Sequence, residues 1–298
     1  FPTRRSSDLA TTKATFTAYA PANVANINAE QTISNVLNDQ LDYIVAYNEG
    51  LKNDFKTGVP LNFQHATSQI VVKAVNKTTS AVTIKVRGTR MVNVISKGTL
   101  SLPTVATNGS FSWDNTDYTP WTLGSATDTY ADTYETAVEL EESNPQVIGQ
   151  SQYLLPQQLT AATYTSTGTE TWTTNVTGNA IAFLIQVKTV ADTPAAIYPA
   201  QQNNESTKYA WAYVPVDTDW QPGRKYTYTI NFAKDAYGKV DPNQGDEGTP
   251  DPKDKTPNDS TDDEPEQKPG EEVVDSPLRL TFTVSVEDWI PMTEPKNL

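Results

Sequence analysis

Short segments in which apolar and polar residues alternate follow one another along the chain, with turn-forming residues between them. In SQIVVKAVN, Ile70, Val72 and Ala74 fall on one face. Because successive side chains of a β-strand point to opposite sides, this period of two predicts strands with one buried face. The same alternation predicts three more buried faces, formed by Val82, Ile84 and Val86, by Tyr226, Tyr228, Ile230 and Phe232, and by Leu278, Leu280, Phe282, Val284 and Val286.

The segment IAFLIQVKTV, which begins at Ile181, is apolar on both faces. This pattern is typical of a strand buried between two layers. The helical signal is weak: INAEQTISNVLNDQLDYIV could form a turn or two after Asn28, but its Asn and β-branched residues oppose a helix. About ten to a dozen short strands separated by turns predict an all-β sandwich.

Composition changes this picture at one place. The chain has 298 residues and a net charge of −14, and residues 241–275 contribute −10 of that charge through thirteen carboxylates and three lysines. An acidic chain argues against nucleic acid as a partner. Residues 241–276 are rich in Pro, Asp and Glu and contain no aromatic residue. They cannot bury enough apolar surface to offset ordering, so we predict a disordered tether.

The inventory of reactive residues is small. There is no cysteine, and His65 is the only histidine. We interpret His65 as a structural residue that is hydrogen-bonded beneath a sheet, because no nucleophile motif accompanies it. Two carboxylate pairs, Glu141–Glu142 and Asp217–Asp219, lie in turn-like segments and are interpreted as solvated loop charges. The sequence therefore predicts a protein that is not an enzyme, with no cofactor-binding residues and no metal site.

Aromatic residues offer a second kind of chemistry, because the chain contains six Trp and fourteen Tyr. Such side chains can stack on sugar rings, and Trp113, Trp121 and Trp172 lie in Thr-, Asp- and Gly-rich segments that we expect to be exposed. These three are the candidates for glycan stacking. Aromatic side chains also fill the cores and edges of β-sandwiches, and that interpretation is favoured.

The first ten residues, FPTRRSSDLA, have the appearance of translated sequencing-adapter read-through rather than a native start. We exclude them from the fold interpretation. The expectation that follows is that the natural N-terminus, with any export signal, precedes this fragment.

Six stretches resemble, in order, the fimbrillin-like proteins of Bacteroidetes type V pili (Mfa-like or FimA-like subunits). They are TFTAYAPAN (15–23), VPLNFQHATSQIVVKA (59–74), ISKGTLSLP (95–103), YLLPQQLT (153–160), WAYVPVDTDWQPGRKYTYTINF (211–232) and LTFTVSVEDWI (280–290). The most specific element is the W-x-P-G-[KR]-x-Y-x-Y pattern that starts at Trp220. By itself Trp220-Gln-Pro-Gly-Arg predicts a turn, because Pro222 presets φ and Gly223 permits an unusual backbone.

The resemblance implies transthyretin-like β-sandwich domains in a surface-exported pilus subunit or tip component. It also implies assembly by strand exchange, in which a strand from one subunit completes the sandwich of the next. Other pilus subunits are then the expected partners, with host or bacterial glycans or proteins as adhesion ligands. The expected location is the fimbrium, associated with the outer membrane. The signal, lipobox cysteine and first strands that the family carries upstream of TFTAYAPAN are not in this sequence.

The predicted organisation has five parts. They are a non-native tail (1–10), a remnant of an N-terminal β domain (11–56), a C-terminal β-sandwich domain (57–240), the acidic tether (241–276) and a C-terminal β-strand (277–298).

The C-terminal strand has two destinations that the sequence leaves open. It can fold back into its own sandwich, or it can cross to the next subunit as a donor strand. Our hypothesis is a structural pilus subunit with Leu278–Val286 as the donor. The alternatives are a carbohydrate-binding surface adhesin or lipoprotein that does not polymerise and, far behind, a glycosidase that uses two carboxylates.

Overall fold

The structure is a computed structural model of the whole chain. It describes residues 12–21, 32–37, 40–78, 82–104, 121–166, 174–198, 209–233, 239–240 and 281–288. The predicted tail 1–10 and the predicted tether 241–276 lie outside these ranges.

The described residues form nineteen strands and one 3₁₀ turn, Lys52–Phe55. The strands are β1 (Ala14–Ala20), β2 (Thr32–Leu37), β3 (Ile44–Gly50), β4 (Gln64–His65), β5 (Ser68–Lys77), β6 (Val82–Ile95), β7 (Lys97–Ser101), β8 (Trp121–Leu123), β9 (Thr127–Glu139), β10 (Gln146–Val147), β11 (Gln152–Leu154), β12 (Thr163–Ser166), β13 (Thr174–Thr177), β14 (Ala180–Thr189), β15 (Ala196–Tyr198), β16 (Ala210–Pro215), β17 (Arg224–Ala233), β18 (Lys239–Val240) and β19 (Thr281–Asp288). The prediction of an all-β protein is confirmed.

Two larger sheets share the main core. Sheet I has the order β10-β5-β17-β19, with β11 also paired to β5. Sheet II has the order β18-β16-β14-β6-β9, with β15 also paired to β14. Their apolar faces meet in one cluster, which includes Ile70, Val72, Ala74, Val82, Ile84, Val86, Ile181, Phe183, Ile185, Val187, Tyr226, Tyr228, Ile230 and Phe232. The alternation predicted for β5, β6 and β17 is therefore confirmed side chain by side chain.

Strand β14 is buried on both faces, as its sequence predicts. Ile181 and Phe183 point into the main core, whereas Ala182 and Leu184 belong to a second cluster with Trp211 on the outer face of sheet II. Every residue from Ala180 to Val187 is buried. A strand between two apolar layers needs apolar residues at successive positions, which is why its sequence lacks alternation.

A smaller pair of sheets lies at the N-terminal end of the chain. One has the order β1-β3-β4 and the other β2-β7-β8. Their shared cluster contains Tyr43, Val45, Tyr47, Ala66, Leu100, Leu102, Trp121 and Leu155. Strands from both sides of the predicted boundary at residues 56 and 57 pair in these sheets, and the boundary stays a prediction. So does the transthyretin-like topology.

The helical turn that the sequence weakly allows after Asn28 does not form in the part of this segment that the structure describes. Residues Thr32–Leu37 form strand β2, which pairs antiparallel with β7. Pairing with β7 outweighs a weak local preference in a segment with β-branched Thr32, Ile33 and Val36. In the described part of the chain no helix is long and apolar enough to cross a membrane.

Candidate assembly surface

Strand β17 is the centre of the candidate surface, and the strands on its two sides differ. On one side it pairs in parallel with β5, so that Tyr226 lies opposite Ile70 and Tyr228 opposite Val72. On the other side it pairs antiparallel with β19. Tyr226 and Tyr228 are almost completely buried. The inner neighbour and the core thus hold β17 firmly in sheet I.

The turn before β17 is confirmed, and two tyrosine hydroxyls fix it. Gly223 has φ +69°, a conformation that glycine adopts without steric cost. The Tyr226 hydroxyl donates to the Asp219 carbonyl at 2.9 Å and accepts from the Gln221 amide at 2.7 Å. The Trp220 Nε1–H donates to the Tyr228 hydroxyl at 2.8 Å. The W-x-P-G-x-x-Y-x-Y pattern is therefore a turn tied to its own following strand.

Burial of these hydroxyls changes their acidity. Desolvation is the largest cause that raises the pKa of Tyr228, to about 12, and hydrogen bonds with the side chains of Thr218 and Trp220 partly oppose it. Desolvation also raises the pKa of Tyr226, against a hydrogen bond from the Gln221 backbone. Both hydroxyls stay protonated at neutral pH and act as fixed hydrogen-bond partners.

Strand β19, the described part of the candidate donor, lies at the edge of sheet I in its own chain. Its register places Phe282 opposite Ile230, Val284 opposite Tyr228 and Val286 opposite Tyr226. Leu278 and Leu280 lie outside the described residues. Within the described residues β19 has a strand on one side only. One row of backbone groups along its outer edge therefore faces away from the sheet.

The expectation that the apolar side chains of this strand are all buried is wrong for Val286. Val284 is partly buried and packs against the main core, but Val286 is 54% exposed. Because β19 has no second neighbour in the described part of sheet I, the outer flank of Val286 is uncovered. At Val286 the strand buries less apolar surface than its sequence pattern suggests.

Opposite charges accompany this pairing at the end of the strands, Lys225 with Glu287 on the polar face and Arg224 with Asp288 on the face of Tyr226. Lys225 Nζ lies 3.7 Å from Glu287 Oε2, and Arg224 forms an ion pair with Asp288. Sequence reasoning missed these four residues. The signal was present as basic residues at the start of β17 and acidic residues at the end of β19, but it acquires meaning only once the register is known. Exposed pairs add about 0–1 kcal/mol each, so their main effect is to select register.

A protein-family model described as fimbrillin-like matches residues 9–246. The chain belongs to the fimbrillin-like family. No curated protein matches it.

Several solved structures resemble this fimbrillin-like chain. A cell adhesion protein from Bacteroides uniformis, described as putative, shares 14% identity at a TM-score of 0.43, over 93% of this chain and 73% of that one. A fimbrial protein from Bacteroides vulgatus shares 11% identity at a TM-score of 0.43, over 92% and 77% of the two chains. A further such cell adhesion protein, from Bacteroides ovatus, shares 16% identity at a TM-score of 0.38, over 93% and 68%.

Trp121, one of three candidates for glycan stacking, is not exposed in this fimbrillin-like protein. Its side chain is only 8% exposed, and its Nε1–H donates to the Ala66 carbonyl at 2.8 Å. The expectation of exposure is wrong, because the indole fills the cluster between the two smaller sheets. Trp113 and Trp172 lie outside the described residues.

His65 lies in a buried structural setting. Its side chain is buried, and Nδ1 lies 2.8 Å from Asp42 Oδ2. Thr67 Oγ1 donates to the other oxygen of the same carboxylate at 3.3 Å. Asp42 thus holds the segment between β4 and β5, in agreement with the structural interpretation of His65.

The two carboxylate pairs considered for catalysis are exposed, as loop charges are. Glu141 and Glu142 follow β9, and Asp217 and Asp219 precede the turn at Trp220. Asp219 accepts a hydrogen bond from the Gln221 side chain at 2.5 Å. In the described ranges no three acidic or imidazole side chains are grouped to hold a metal ion.

Proposed function

We propose that this protein is a structural subunit or tip component of a cell-surface pilus, and that it assembles by β-strand complementation with the β19 segment as the donated strand. Its partners are other pilus subunits, and its location is the fimbrium at the outer membrane. Membership of the fimbrillin-like family supports the pilus role. The observation that carries the strand mechanism is the edge position of β19.

Few of the described side-chain contacts hold β19 in its own sheet. Residues 285–288 are all exposed, and the partly buried Val284 is its one described contact with the main core. The ion pairs with Arg224 and Lys225 are exposed and screened by salt. A strand at a sheet edge is also the element that can pair with another chain with least rearrangement.

The vacated edge of β17 is complementary to the same segment from another copy. It would present Tyr226, Tyr228 and Ile230 on the core face, together with Lys225 on the polar face. A second copy would offer the same eight residues in the same register. Such a contact joins two different surfaces head to tail, so it propagates into a filament when rotation does not close a ring.

A disulfide lock tests the proposal directly, since the native chain contains no cysteine. Lys225 and Glu287 face each other across the two strands, with their charged groups 3.7 Å apart. The double substitution Lys225→Cys with Glu287→Cys ties β19 to its own sheet after oxidation. We expect the oxidised protein to lose incorporation into surface polymers of the producing bacterium, and reduction to restore it.

The chain offers a matched control. Lys85 and Glu139 also face each other on neighbouring strands, with charged groups 3.5 Å apart, but in sheet II. Lys85→Cys with Glu139→Cys introduces a comparable cross-link in the other sheet, which leaves the pairing of β19 with β17 unchanged, and polymers should persist. Normal polymers from the oxidised 225–287 variant, with the cross-link proved by mass spectrometry, would exclude β19 as the donor. A monomeric surface protein in every variant would instead favour the adhesin alternative.

A further inference from the structure

A cleft on sheet II carries cationic groups in this acidic protein. It has a volume of about 350 Å³, and its polar lining residues are Thr83, Lys85, Glu139, Gln186, Lys188 and Thr189. Small-molecule sites in proteins start at about 300 Å³, so the space suits a single ring rather than an extended ligand. We name it the sheet II cleft.

Alternation along β6 and β14 aims the two lysines at this cleft. Ile84 and Val187 point into the main core, so Lys85 and Lys188 point to the outer face. Lys85 pairs with Gln186, and Lys188 pairs with Thr83. Two ammonium groups, a side-chain amide and a hydroxyl therefore lie on four neighbouring positions of one sheet face.

One wall of the cleft is a closed loop. The Thr189 amide donates to the Ala195 carbonyl at 2.9 Å, and the Ala195 amide donates to Thr189 Oγ1 at 2.9 Å. These two bonds close the base of the loop that carries Val190 and Pro194. The register between β14 and β15 shifts at Val187 and Lys188, and such irregularities redirect side chains. The opposite wall carries Glu139 of β9.

The charges of the cleft differ from those of the whole chain. Two lysines and one glutamate give the lining a net charge of +1, whereas the chain carries −14. Glu139 Oε2 lies 3.5 Å from Lys85 Nζ, and none of the ion pairs among the described residues involves Lys188. Lys188 is partly buried, so desolvation increases what it gains from an anionic group.

We propose that the sheet II cleft binds an acidic sugar of the hexuronic acid class, with Lys188 receiving the carboxylate. The hydroxyl and amide groups of Thr83, Gln186 and Thr189 donate to or accept from ring hydroxyls. Glu139 accepts hydrogen bonds from the hydroxyl groups of the sugar. A purely acidic peptide would not use this acceptor, and the charge of Glu139 would repel such a peptide. This site is independent of β19 and stands whether or not strands are exchanged.

The test compares two probes that differ at one carbon. D-glucuronic acid and D-glucose are titrated separately into the full chain, and binding is followed by saturation-transfer NMR at low and at physiological salt. We expect glucuronic acid to bind and glucose to bind at least about tenfold more weakly. Added salt should weaken the binding of glucuronic acid only. Lys188→Gln should reduce affinity for glucuronic acid about tenfold, and Lys188→Arg should retain most of it.

A control variant separates the site from general charge. Lys97→Gln removes an exposed lysine from β7, and it should leave glucuronic acid binding unchanged. Equal melting temperatures confirm that the variants fold. No binding of glucuronic acid, equal binding of glucose, or equal losses in Lys188→Gln and Lys97→Gln would each overturn the proposal. Displacement of the sugar by a short poly-glutamate peptide at lower concentration would overturn it in favour of an acidic peptide.

Discussion

Single residues in this protein matter most where a polar atom must be satisfied inside the core. Tyr228 is fully buried, and its hydroxyl accepts a hydrogen bond from the indole N–H of Trp220, which is also buried. An unsatisfied buried donor costs about 1–3 kcal/mol. Loss of either Trp220 or Tyr228 would therefore leave a buried polar group of the other without this hydrogen bond.

The raised pKa of Tyr228 predicts a loss of stability in alkali. Burial raises this pKa from 10.0 to about 12, so the unfolded chain loses its proton first as pH rises. The stabilisation is complete below pH 10 and is lost as pH rises toward 12. Tyr228→Phe should be less stable at pH 7, and its deficit in unfolding free energy should shrink by about 2–3 kcal/mol by pH 12. Urea unfolding at several pH values measures this, and a constant deficit would contradict the assignment.

At the scale of the element, strands at sheet edges differ in how firmly they are held. Strand β9, at the edge of sheet II, has register shifts near Gly88 and near Val94 of its partner β6. It also carries the exposed acidic residues Asp128 and Glu139. Irregular register discourages pairing with another chain, whereas exposed acidic residues lie on both edge strands, Glu287 and Asp288 being those of β19. Strand β19 has continuous register over its eight residues and is the edge better suited to exchange.

The difference in burial between two valines of β19 indicates where this strand contacts the core. Val284 packs against the main core, whereas Val286 is 54% exposed. Val284→Thr places a hydroxyl of similar size against apolar neighbours and should lower the unfolding free energy by about 1–2 kcal/mol. Val286→Thr is the matched control and should change it by less than about 0.5 kcal/mol. Equal effects in chemical denaturation would show that the register or the burial of β19 is wrong.

At the scale of the whole molecule, stability is distributed unevenly between the centre of the sandwich and its edge. Strand β14 has neighbours on both sides and apolar clusters on both faces. In the described part of sheet I strand β19 has one neighbour, and its residues 285–288 are exposed. Regions with few buried contacts open locally at a lower free energy than the core.

Hydrogen exchange should make this gradient visible. We expect amides of Ala180–Thr189 to exchange near the rate set by global unfolding, and amides of Thr281–Asp288 to exchange at least about tenfold faster. Peptide-level deuterium uptake followed by mass spectrometry provides the measurement. Equal protection of the two segments would mean that β19 leaves its sheet only when the protein unfolds, and would weaken the case for exchange.

Local patterns predicted more of the fold than of the candidate surface. The faces of β5, β6 and β17 follow from a period of two, and the turn at Gly223 follows from the needs of the backbone. Both are properties of consecutive residues. Exposure of Trp121 was predicted from the polarity of its neighbours in sequence, and failed because the residues that cover it, such as Tyr43 and Leu155, are distant in the chain.

The sequence by itself determined which residues prefer strands, which face of each strand is apolar, and which family the chain resembles. Only the tertiary structure decided which strands are neighbours, because hydrogen bonds between strands depend on residues far apart in the chain. That choice placed β19 at an edge, left Val286 exposed, and set Lys225 opposite Glu287. It also brought Lys85 and Lys188 to one cleft. Alternation determines the face to which a side chain points, but strand pairing determines which residues it contacts.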